Sequence, residues 1–261
     1  MLLTDRFVFI HLPKCGGTFV TAMLKDIHHY RPSRLGRMIS NLVPNGLGPL
    51  VDTDRWGTKH DGCHAIPRAH RDKLIVASVR NPYDRYVSQF HFRWWVRSPE
   101  RLTLPLKEIE KLYPGYPEIS FHDFVMLSNT HVRFTKYPGI LPNEHLGAYS
   151  VRFLTTFFRD PQRAYPLIDD KYINESRCNA DMLPIRFLNM ERLNQDLHDF
   201  LLSVGYPAER ISRVCEADRI RPGSGRKRSD YDWQKHYTPD LKAFVRSREK
   251  LIFSIFPEFD V

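Results

Sequence analysis

The residues with the most chemistry in them stand in two short stretches, PKCGGT at Pro13–Thr18 and RNPYDRYVS at Arg80–Ser88, with His60 and His64 between them. In the first stretch Lys14 offers a point charge, Gly16 and Gly17 let main chain come close to a bound group, and Thr18 brings a hydroxyl to the following helix. Successive N–H groups of such a turn, and of the helix it opens, aim at one spot that suits a phosphate or a sulfate. Pro13, Cys15 and Phe19 belong to the same candidate binding stretch. In the second stretch Ser88 lies two helical turns beyond Arg80, a spacing that lets a guanidinium and a hydroxyl converge on one phosphate. The first loop is not the one that hydrolyses ATP or GTP. That motif, GxxxxGK[ST], puts its lysine after the last glycine, whereas Lys14 precedes Gly16 and the next basic residue is Lys25.

Strand–turn–helix units must position these groups. FVFIHL reads as a buried strand running into the loop, and FVTAMLKDI has helical apolar spacing. LIVASV predicts a second unbroken strand ending at Arg80, the edge where ligands bind in open α/β sheets. NPYDRYVSQF opens a helix capped by Asn81 with Pro82 in its first position. IRFLNMERL begins as a third strand, followed by an amphipathic helix from Asn194 to Val204 that Gly205 closes. Further helices are expected over FHDFVMLSN, Tyr149–Phe158, Ala208–Ala217, the charged RAHRDK and a closing helix from Pro239 to Phe256. The expected fold is a single α/β domain over residues 1–261, a short parallel sheet flanked by helices. Residues 31–58, rich in Gly, Pro and Arg, read as a long functional loop. Residues 97–148, punctuated by YPGYPEI and TKYPGILPNE, read as an inserted acceptor-side segment. Trp94 and Trp95 face different directions on a helix, so core packing is favoured over an acceptor wall.

A formal net charge of +9 favours anionic partners. There is no zinc-finger spacing, RNP-like motif or run of five basic residues, so a small polyanion fits better than nucleic acid. Cys15, Cys63, Cys178 and Cys215 form no CxxC pair, which argues against a structural zinc site or a disulfide framework and suggests reduced thiols in a cytoplasm. Cys15 is either a reactive thiol or, the preferred reading, a small filler of the turn. No apolar run reaches the length of a membrane span, and no signal-peptide core is seen, so an unsecreted protein is expected.

IHLPKCGGTFV followed by VRNPYDRYVSQF resembles the two signatures of sulfotransferases that use 3′-phosphoadenosine 5′-phosphosulfate (PAPS). The resemblance implies the P-loop-like sulfotransferase fold, with the first motif on the 5′-phosphosulfate and the second on the 3′-phosphate. The usual first motif reads PKTGGT or PKSGTT, so Cys15 stands where a hydroxyl residue is usual. By the same resemblance Lys14 stabilises the departing phosphate oxygen, and His60, in a KHAT-like setting, is the base, with His64 its alternative and His70 and His91 weaker candidates. The basic loop Arg219–Arg228 resembles the segment that completes the 3′-phosphate site, through Gly225, Arg226, Lys227 and Arg228. No metal is implied, and the product would be adenosine 3′,5′-bisphosphate.

The acceptor is expected to be a hydroxyl, secondarily an amine, of a small molecule, with an acidic glycan as the alternative. The rival enzyme is a nucleotide-dependent kinase with a degenerate loop, disfavoured because kinases need a Mg²⁺ site and the second strand ends in Arg80 rather than a carboxylate; the rival of another class is a nucleotide- or anion-binding regulator without catalysis.

Overall fold

The computed structural model describes residues 1–30, 47–57, 59–133, 136–218 and 228–261. The chain divides into two compact units, Met1–Arg80 with Pro184–Pro222, and Asn81–Leu183 with Gly223–Val261. The long loop expected over 31–58 lies largely outside the described residues.

The first unit holds the sheet. Its strands are β1 (Leu2–Leu3), β2 (Phe7–Ile10), β3 (Val51–Asp52), β4 (Leu74–Val79) and β5 (Ile185–Asn189), in the spatial order β3-β1-β2-β4-β5. β2, β4 and β5 are parallel, as unbroken apolar runs predict, while β1 pairs antiparallel with both β2 and β3. The sheet is therefore mixed where a parallel one was expected. Two-residue strands carry no periodicity that a sequence reading could detect.

Helix α1 (Gly17–Ile27) follows β2, and the long helix after β5 spans Leu193–Ser203. Phe19, Val20 and Leu24 of α1 pack with Phe7, Phe9, Leu197 and Phe200 in one buried cluster, and the Phe7 and Phe200 rings meet edge-on at 5.0 Å. Every side chain of β2 is fully buried. Covering on both faces fixes the direction in which β2 delivers the loop that follows it. Gly205, at φ 80°, ends the Leu193–Ser203 helix as expected. Ala208–Ala217 is two single turns, Ala208–Ile211 and Arg213–Glu216, and RAHRDK holds only the 3₁₀ turn Arg68–His70.

The second unit is helical. In chain order its main helices are α2 (Pro82–Phe92), α3 (Leu106–Leu112), α4 (Phe121–Thr130), α5 (Ala148–Phe157), α6 (Pro239–Arg248) and α7 (Lys250–Ile255). Asn81 caps α2 by accepting from the Tyr83 N–H at 2.9 Å, and Ser120 caps α4 the same way from Asp123 at 3.1 Å. The expected closing helix is broken at Glu249, which is fully buried. Its carboxylate accepts from the N–H groups of Tyr149 and Ser150 at 3.0 and 2.8 Å, from the Ser150 hydroxyl at 2.7 Å and from the Tyr86 hydroxyl at 2.6 Å. One carboxylate thus satisfies the open N-terminus of α5, and the break in the closing helix gives it that reach. Trp94 and Trp95 are both buried, Trp95 donating to the Pro117 carbonyl at 2.9 Å, which makes them core.

Candidate functional site

β2 ends at Ile10, and the next six residues make the turn that opens α1. Lys14 adopts φ 67° and Gly16 φ 83°. The left-handed conformation costs a non-glycine residue about 1 kcal/mol or more, a strain that clusters at functional sites. A side chain at Gly16 would also meet Met190 Sδ and Leu193 Cδ2, each at 2.5 Å. Phe19 donates its N–H to the Gly16 carbonyl at 2.9 Å, and Val20 does so at 3.3 Å. Gly17 and Thr18 head α1, where helix geometry leaves N–H groups without intrahelical acceptors, and the Thr18 side chain is exposed. An anion fits this cradle: main-chain donors, a hydroxyl, a half-buried lysine and no Cβ in the way.

Two members of the stretch turn inward. The Phe19 ring lies in the core and its N–H is committed to Gly16, while the Cys15 thiol is wholly buried, Sγ 3.6 Å from the Pro13 carbonyl oxygen. Position 15 therefore fills the turn from inside, and a ligand would meet only its main chain.

Arg80 follows β4 directly and donates from Nη1 to the Lys14 carbonyl at 3.4 Å, so parallel pairing of β2 with β4 brings the two motif cations to one sheet edge. His60 is exposed and lies on the same side. Its Nδ1 hydrogen-bonds the carbonyl of His11, the residue after β2, at 3.1 Å. A carbonyl only accepts, so in the neutral ring Nδ1 carries the proton and Nε2 keeps the lone pair, the form a base needs. His64 is exposed in the 3₁₀ turn Cys63–Ala65, beside Cys63, whose buried thiol is pushed up to about 12 by desolvation.

Ser88 is half-buried on α2 in the second unit. His91, also on α2, donates from Nε2 to the Asp230 carbonyl at 2.7 Å, and His236 does so at 2.9 Å. Arg228 opens the 3₁₀ turn Arg228–Tyr231, whereas Gly225, Arg226 and Lys227 lie outside the described residues. Among the described residues no group of three or more His, Cys, Asp or Glu could hold a metal ion, and no helix is long and apolar enough to cross a membrane.

Sequence reasoning overlooked His11. Its ring is 6% exposed and stands edge-on to His60, with centroids 4.8 Å apart. Desolvation, with His60 and Lys59 as lesser causes, holds it neutral, its pKa pushed down to about 2. The available signal was one polar letter inside the apolar run FVFIHL.

A parallel β2–β4 edge that delivers a glycine turn, a lysine and an arginine to one helix start is an α/β arrangement suited to an anion. More narrowly, the profile of the sulfotransferase family matches residues 2–248, and the chain belongs to that family. Among solved structures it is similar to mouse sulfotransferase SULT7A1 complexed with PAP, at 14% identity and a TM-score of 0.44, over 98% of this chain and 88% of that one. It is also similar to a sulfotransferase from Alicyclobacillus acidocaldarius, at 14% identity and a TM-score of 0.38, over 98% of both chains. No curated protein matches it significantly.

Proposed function

We propose that this sulfotransferase takes its sulfuryl group from PAPS and passes it to a hydroxyl of a small-molecule acceptor, releasing adenosine 3′,5′-bisphosphate. The observation that supports this most is the Lys14–Thr18 cradle, braced by Arg80, with a histidine of the correct tautomer attached to the same strand end.

In this reading the N–H groups at the start of α1 and the Thr18 hydroxyl bind the 5′-phosphosulfate. Lys14 neutralises the charge that grows on the bridging phosphate oxygen as the sulfur–oxygen bond breaks. His60 Nε2 takes the proton as the acceptor oxygen bonds to sulfur. Arg80, Ser88 and Arg228 are the candidates for the 3′-phosphate on the strength of the motif resemblance. A cytoplasmic location belongs to the same proposal and is supported by the absence of paired cysteines among the described residues. The net charge of +9 favours an acidic glycan as the second acceptor class.

The test is a panel of hydroxyl and amine acceptors incubated with PAPS and read by mass spectrometry for an added sulfonate, with Lys14→Ala and His60→Ala alongside. Transfer that either variant abolishes is the expected result. PAPS binding without transfer to any acceptor would make the chain a binding protein, and Mg²⁺-dependent phosphate transfer from ATP would make it a kinase.

A further inference from the structure

We infer that His11 is a positioning residue for sulfuryl transfer and that it acts through His60. The inference rests on the reading of His60 as the base. Three features meet at this one residue, the first through its main chain and the others through its ring. Its own main-chain oxygen accepts the His60 Nδ1–H and so selects the tautomer that leaves Nε2 basic. Its ring stands edge-on to His60 at 4.8 Å, with an interplanar angle of 82°. The same ring fills the space beside Gly17, where a Cβ would lie 2.5 Å from Nε2 and 2.7 Å from Cγ. The base and the first residue of α1 are thus packed against one imidazole, which sets the spacing between them.

Packing alone does not account for a histidine here. Nδ1 is buried with no hydrogen-bond partner among the described residues. An unsatisfied buried nitrogen costs stability that a phenylalanine of similar shape would not cost. The imidazole supplies a ring dipole and a lone pair next to the place where His60 becomes positive on taking the acceptor's proton. A dipole held fixed by burial needs no reorganisation as that charge forms. Buried and neutral, His11 does not compete for that proton.

The test is a double-mutant cycle of His11→Phe with His60→Ala, read as kcat, as KM for PAPS and as Kd for adenosine 3′,5′-bisphosphate. Circular dichroism checks the fold, and His11→Asn is a second variant that keeps a polar group near Nδ1. Acting through His60, His11→Phe should lower kcat by about tenfold or more while Kd changes less than about threefold, and it should cost nothing further once His60 is alanine. His11→Asn should recover part of the loss. Equal losses in both backgrounds, a loss confined to Kd, or full kcat in both His11 variants would overturn the inference. If His60→Ala alone keeps full turnover, it is the assignment of the base that fails, and this inference falls with it.

Discussion

Gly17→Ala is the sharpest probe of how the loop is built. Gly17 is the first residue of α1 and lies outside the left-handed region, so helix propensity alone would make alanine neutral or better there, by well under about 1 kcal/mol. The structure predicts the opposite. The new Cβ would fall within 2.7 Å of Cγ and 2.5 Å of Nε2 of His11, both ring atoms of a side chain that is 6% exposed. Overpacking a rigid buried ring costs about 1–3 kcal/mol, which outweighs that small gain, so the net loss is about 1–3 kcal/mol, a fall in Tm of roughly 2–12 °C for a chain of this size. Because the ring that must yield also touches His60, turnover should fall further than stability does. Thermal melts of wild type, Gly17→Ala, His11→Ala and the double variant supply the assay. Removing the ring should relieve the clash, so the double variant should melt above the value that additivity gives. A Gly17→Ala protein as stable and active as wild type, or strictly additive losses, would refute the packing argument.

Stability should fall on acidification below about pH 6.5. His11 and His28 both have folded-state pKa values lowered from the ordinary 6.5, His11 to about 2, with desolvation the largest cause for each. The unfolded chain then binds more protons, and each ring that stays neutral removes about 1.4 kcal/mol per pH unit; urea midpoints from pH 7.5 to 5 measure this, and His11→Phe should flatten the slope. Glu249→Ala should cost about 3–5 kcal/mol, because four donors in the interior of the second unit lose their acceptor, and a Tm within 2 °C of wild type would contradict that. A thiol reagent should label Cys215 alone in the native protein and all four cysteines after unfolding, since Cys15, Cys63 and Cys178 are buried; rapid native labelling of Cys15 would contradict its inward placement.

Elements whose signal is local were legible in the sequence. Apolar runs gave β2, β4 and β5, and the Asn81-Pro82 pair gave the start of α2 with its cap. What stayed hidden depends on partners far away in the chain. The closing helix breaks because the Glu249 carboxylate is held by residues about a hundred positions earlier, which no window of local periodicity contains. The antiparallel edge of the sheet rests on strands too short to show a pattern.

In the site the same distinction separates Cys15 from His11. Cys15 stands where the family usually has a threonine or serine, and its side chain faces the interior, as a small filler of the turn would. A sulfhydryl is cheaper to bury there than a hydroxyl, so the exchange leaves the main-chain donors of the loop unaffected. His11 stood unremarked in an apolar run, yet its Nδ1 is one of the buried polar atoms without a hydrogen-bond partner among the described residues. In the proposed reading the letters Pro13–Thr18 mark where an anion binds, and His11, two residues before them, connects that place to the group that handles the proton.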